Sequence, residues 1–139
     1  MQKMIGWGLG LVLVGVVFIG TSFTGSAIAG EVEIVKVRFE QHAGSWQVST
    51  TLRHADSGWD HYADAWRVVD AQGKILGTRT LFHPHENEQP FTRSLGDLSI
   101  PKGVATVFVE AHDKVHGWSK QRVRVDLNQP KGDRFEVRR

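Results

Sequence analysis

The sequence predicts an all-β protein, a seven-stranded antiparallel sandwich of the immunoglobulin or fibronectin type, with a small β-barrel as the competing architecture. Three observations carry this reading. Apolar residues recur at every second position, turn residues punctuate the chain at short intervals, and no window of about 11 residues carries a helical stripe. There is neither an internal repeat nor a low-complexity segment.

The first segment reads as an export signal. Lys3 supplies a positive start, residues 5–19 form an uncharged apolar run, and Ala27-Ile28-Ala29 places small residues where a signal peptidase cuts. The expected organisation is a cleaved secretory signal peptide over 1–29, a single sandwich domain over 30–127 and a polar C-terminal tail over 128–139. An uncleaved anchor is the alternative, but the run is shorter than the ~20 apolar residues of a spanning helix and glycines interrupt it. No cysteine follows that could carry a lipid, so a lipoprotein anchor is not expected. The expected location is periplasmic or secreted, with no membrane span in the mature form.

Cleavage also changes the chemistry on offer. Both methionines lie in the removed segment and the chain has no cysteine, so the mature protein has no sulfur ligand and no disulfide. About 110 residues remain, enough for one core. The formal charge is only +2, and the cations are scattered apart from Arg138 and Arg139, which argues against a nucleic-acid partner.

The strands come in a regular series. Val35, Val37 and Phe39 alternate with Lys36 and Arg38. Trp46, Val48, Thr50 and Leu52 alternate with Gln47, Ser49, Thr51 and Arg53, a half-buried strand. Residues 62–69 form a third, with Trp66 and Val68 on one face. The turn at 70–73, closed by Gly73, leads into a returning strand over 74–82. A fifth strand covers 91–95 and a turn covers 100–103. Ala105, Val107, Val109 and Ala111 share a face of the sixth, and Val123, Val125 and Leu127 a face of the seventh. Beyond Asn128 the chain turns polar, though Phe135 and Val137 offer one edge strand. Trp46 and Trp66 are expected in the core.

Six of the seven histidines fall in three connections: 54–61, 83–90 and 112–118, with His42 alone elsewhere. These join the second to the third, the fourth to the fifth and the sixth to the seventh strand. In an antiparallel sandwich, alternate connections emerge at the same end, so the three segments should converge at one pole. Neutral imidazole is the commonest protein ligand for transition metals. His83 and His85, two apart, point the same way on extended backbone, and the turn between His112 and His116 can aim both inward. His54 and His61 complete the candidate ligands. Asp60, Glu86, Glu88 and Asp113 are candidates to ligate or to hold a ring nitrogen. With sulfur absent, the ligand chemistry favours Cu(II), Zn(II) or Ni(II) over Cu(I), and Cu(II) or Zn(II) is the expected occupant.

Each feature has a plainer account beside this one. A His-Pro-His turn can be simply solvated, Asp56 and Asp60 can cap turns, and His54 and His112 can seal strand ends. Trp59 and Trp118 can stack on a sugar or aromatic ligand, or plug the open end of the sandwich. An enzyme is not favoured: no serine or threonine has a nucleophile context, and a carboxylate pair of Asp60 with Glu86 or Glu88 has no separation that sequence can state.

Five motifs, RHADSGWDHYADAWRVVD, LGTR, HPHENEQPFTRSL, IPKGV and AHDKVHGW, span His54 to Trp118. In them the chain resembles an uncharacterised family of small exported bacterial proteins. The resemblance implies a sandwich-like fold and joins the three polar loops in one pattern; it carries over no catalytic residue. The expectation is therefore a periplasmic protein that binds a divalent transition metal at its histidine-bearing pole. A metal-free module presenting Trp59 and Trp118 to a periplasmic protein or a glycan is the second reading. A small copper-dependent redox enzyme is the third.

Overall fold

A computed structural model describes residues 30–139; the expected signal peptide lies outside the described residues. Burial alternates along the chain and sorts it into strands. The described residues form ten strands and no helix: β1 (Glu33–His42), β2 (Ser45–Arg53), β3 (Ala63–Asp70), β4 (Ile75–Thr80), β5 (Phe91–Leu98), β6 (Thr106–Asp113), β7 (Gly117–Trp118), β8 (Val123–Asp126), β9 (Lys131–Gly132) and β10 (Phe135–Arg138). One sheet runs β5-β2-β1-β10-β9; the other runs β4-β3-β6-β7, with β8 also paired to β6. The architecture is the expected β-sandwich, but with ten strands rather than seven.

The extra strands have local causes. β7 and β8 share one edge of β6, pairing with its His112 end and its Thr106 end respectively. The Ser119 amide still donates to the Ala111 carbonyl, and residues 120–122 then leave the ladder, so the expected seventh strand is β8, and β7 is a short extra pairing inside the connection expected over 112–118. β10 pairs with β1 in parallel, the one departure from antiparallel pairing among the described strands, and buries Phe135 and Val137 in the common core. The polar stretch after Asn128 thus returns to the first sheet.

The core lies between the sheets, where Trp46, Val48 and Leu52 of β2 meet Trp66 and Val68 of β3 and Val107, Val109 and Ala111 of β6. Two face assignments differ from the sequence reading. The β1–β2 register shifts between Ile34 and Lys36, so Ile34 is buried with Val37 and Phe39 while Val35 is only partly covered. Ala105 precedes β6 and is exposed. The 70–73 turn forms as expected, with Gly73 at a φ of 83°.

At one end of the sandwich the β2–β3, β4–β5 and β6–β7 connections are tied together. The amides of Ala63 and His85 both donate to Asp56, the Gln89 side chain accepts from the His54 amide and donates to the His85 carbonyl, and the Lys114 amide donates to the Tyr62 carbonyl.

Candidate metal centre

Two strands deliver the centre by alternation alone. The inward face of β2 runs Trp46, Val48, Thr50, Leu52 and, one step past the strand, His54; that of β6 runs Val107, Val109, Ala111 and Asp113. Each core face ends in an ionisable side chain, His54 on one and Asp113 on the other. The open end of the sandwich is closed by an imidazole and a carboxylate.

His54, His61 and Asp113 each offer one ligand atom there, and the three atoms lie within 4.8 Å of one another. His61 Nε2 is 3.4 Å from Asp113 Oδ1. His116 Nδ1 stands 3.0 Å and 3.2 Å from the two Asp113 oxygens. The ring of His61 is 5.2 Å from that of His116 and 4.9 Å from that of His54, so three imidazoles flank one carboxylate. Burial pushes the Asp113 carboxyl up, but the amides of His116 and Val115 and the His116 ring outweigh it and hold the group below the usual carboxylate range. Asp113 is an anion at neutral pH. His61 Nε2 is buried and has no hydrogen-bond partner.

The His54 ring is held from both sides. Its Nδ1 is 2.6 Å from Asp56 Oδ1 and its Nε2 is 3.0 Å from the Gly30 carbonyl oxygen. The Asp56 side chain is itself fully buried and also accepts the amides of Ala63 at 3.0 Å and His85 at 2.7 Å. A carboxylate with this many donors fixes the ring plane and tautomer of a ligand histidine.

The other expected site residues lie apart from this cluster. His83 and His85 do pair, their rings 4.5 Å apart, and His85 stacks on Phe91 at 3.9 Å. Both His85 ring nitrogens are buried without partners, and the nearer is 3.9 Å from Asp56 Oδ2. Burial, with Arg93 and His83 adding, lowers the His85 imidazole from its usual value. This pair borders a cleft of about 310 Å³ lined by His83, Pro84, His85, Glu86, Asn87 and Glu88. Glu86 and Asp60 are exposed.

His112 faces outward rather than inward, because it is the neighbour of inward-facing Asp113. A register shift between Ala63 and Ala65 leaves Asp64 as the extra residue, and Asp64 Oδ1 meets His112 Nδ1 at 2.5 Å. The His112 ring also packs edge-on against Trp118, over which the Arg67 guanidinium sits at 3.8 Å. Trp59 is 63% exposed and touches Tyr62. Neither tryptophan fills the mouth of the sandwich; His54 and Asp113 do.

Three residues of the pole escape the sequence reading. Asp56 is a buried hub rather than a turn cap, Asp64 is the partner of His112, and Gly30 contacts the histidines from the chain's first described position. The DSGWDH loop did signal Asp56 as a structural acid; nothing signalled Gly30.

Fold and site together define a β-sandwich whose one pole carries a histidine–carboxylate cluster with the composition of a nitrogen–oxygen metal centre. No family model matches the chain. A protein of Halomicrobium mukohataei named "Putative lipoprotein" is 40% identical over 97 residues, 69% of this chain and 47% of that protein. The chain thus spans about half the length of the curated relative it matches. Among solved structures, a superoxide reductase from Giardia intestinalis aligns at 14% identity with a TM-score of 0.42, over 68% of this chain and 99% of that one. Among the described residues no helix is long and apolar enough to cross a membrane.

Proposed function

We propose that this protein is an exported metal-binding protein that holds a divalent transition metal, Cu(II) or Zn(II), at the pole through His54, His61 and Asp113, with His116 beside them. The observation that carries the reading is the gathering of three ligand atoms within 4.8 Å around an ionised, buried carboxylate. Two separations agree with it. Ligands on one metal with bonds of about 2.1 Å stand roughly 3.4 Å apart at a tetrahedral angle and roughly 3.0 Å apart at a right angle. His61 Nε2 and Asp113 Oδ1 are 3.4 Å apart, and His54 Nε2 and the Gly30 oxygen are 3.0 Å apart. Asp56 would hold the His54 ring through Nδ1 and leave Nε2 to the metal. The role would be metal capture or delivery outside the cytoplasm, in keeping with the export signal read from residues 1–29 and with the lipoprotein name of the relative.

The test is calorimetric titration of the mature protein with Cu(II) and Zn(II) at about pH 7.5 and about pH 5.5. Imidazoles must be neutral to ligate, so binding at the higher pH should weaken as pH falls through about 6.5. Absence of saturable binding at micromolar metal removes the proposal.

A second reading has its own observation. Trp59, Phe82 and Val115, one from each loop of the pole, are 63%, 74% and 59% exposed. A contiguous exposed apolar patch commonly marks a docking surface, and these three side chains belong to the three loops at one end of the sandwich. A protein or glycan that docks on this rim should quench or shift the fluorescence of Trp59 and lose affinity in Trp59→Ala; a flat response across a glycan panel and purified partners would argue against it.

A further inference from the structure

We propose that the α-amino group of Gly30, released when the chain is cut after Ala29, is a ligand of the same metal. This rests on the metal reading of the pole above and on the expected cut after Ala29, and adds a donor that no side chain supplies. The position of Gly30 is what points to it. Its carbonyl oxygen is 3.0 Å from His54 Nε2. A Cβ at this position would stand 2.6 Å from His116 Cε1 and 2.8 Å from His116 Nε2, closer than any side chain can approach. Its φ of 113° belongs to the region that favours glycine. The residue is therefore wedged between the rings of His54 and His116, and its nitrogen is one covalent bond, about 1.46 Å, from the wedged α-carbon.

Before cleavage that nitrogen is an amide and a poor metal donor. Hydrolysis of the Ala29–Gly30 bond adds one water, leaving a carboxylate on Ala29 and an amine on Gly30. The amine loses its proton to solvent when it binds. An α-amine has an ordinary pKa of about 7.7–8.0, so near neutral pH a divalent metal displaces that proton readily. The amine and the carbonyl oxygen of one residue close a five-membered chelate ring with the metal, and that oxygen already faces His54 Nε2 at the spacing of two adjacent ligands. The small residue at the cut is thus also the only kind the histidines admit. Export would then complete the site, because the donor exists only after the signal is removed.

The experiment compares two forms of chain 30–139: one with a free Gly30 amine and one acetylated there, otherwise identical. Each is titrated with Cu(II) and Zn(II), and the Cu(II) forms are compared by EPR. The free form should bind at least about tenfold more tightly, and acetylation should remove one nitrogen from the superhyperfine pattern. Equal affinity and unchanged EPR in the two forms would overturn this inference while leaving the side-chain site standing. No binding by either form would overturn the metal reading and this inference with it.

Discussion

Replacement of His61 by leucine separates a metal ligand from a structural histidine. Its Nε2 is buried, lacks any hydrogen-bond partner and sits 3.4 Å from Asp113 Oδ1. A structural histidine would be expected to use that nitrogen. An unpaired buried nitrogen costs about 1–3 kcal/mol, so its removal should leave the metal-free protein as stable as before or slightly more stable. The bound state tells the opposite story. A metal that binds only the folded protein, at a hundred times its dissociation constant, adds about 2.7 kcal/mol. At roughly 4 °C per kcal/mol for a domain of this size, the wild-type melting temperature should rise by roughly 10 °C. His61→Leu should lose most of that rise while its metal-free melting temperature stays at or above wild type. The assay is thermal denaturation followed by circular dichroism, with and without Zn(II). An equal metal-induced rise in both proteins, or a metal-free variant destabilised by more than about 2 kcal/mol, would refute the assignment of His61 as a ligand.

Three other outcomes follow from the same geometry. Asp56→Ala should cost about 3 kcal/mol or more in urea denaturation, because it strips the acceptor from His54 Nδ1 and from the amides of Ala63 and His85 inside the fold; Asp56→Asn should recover part of this. The lowered pKa of His85 means the unfolded chain takes up its proton first as pH falls through about 6.5. Stability should therefore drop from there down to the folded value and be free of this penalty above it, and His85→Leu, kept against Phe91, should flatten the drop between about pH 7.5 and about pH 5.5. Zn(II) binding should release protons, seen as a dependence of the apparent binding enthalpy on the ionisation enthalpy of the buffer; a buffer-independent enthalpy would mean that the ligands are already bare.

Period-two alternation made most of the fold legible, since a side chain's face is a local property of extended backbone. All seven strands read from the sequence are present, including the Asp70–Gly73 hairpin. What alternation missed is non-local. The short β7 inside the 112–118 connection and the parallel return of β10 onto β1 depend on tertiary pairing that short windows do not contain. The same holds at the pole. Loop convergence followed from strand direction, and it brought His54, His61 and His116 together. Yet the alternation that ran Val107, Val109, Ala111 already pointed at Asp113 and away from His112, and that step was available to sequence reasoning. Asp56 and Gly30 were not, because a buried acid hub and a backbone wedge are defined by partners 29 and 24 residues away in the chain.

The His54 ring shows why such a pole suits a metal. A neutral imidazole has one N–H, but here both nitrogens face acceptors: a carboxylate oxygen at 2.6 Å and a carbonyl oxygen at 3.0 Å. With the N–H given to Asp56, Nε2 and the Gly30 oxygen set two lone pairs against each other inside the protein. Two species relieve that opposition: a second proton on the ring, or a metal cation lying against both atoms. The ring is 1% exposed, so water is a poor third choice. His61, whose Nε2 lacks a hydrogen-bond partner and faces the anionic Asp113, is in the same condition. Closing the end of a sandwich with leucine would have avoided both costs. A fold that instead collects lone pairs at its mouth is suited to a metal cation there, and the cost of holding them together without one is returned as affinity for it.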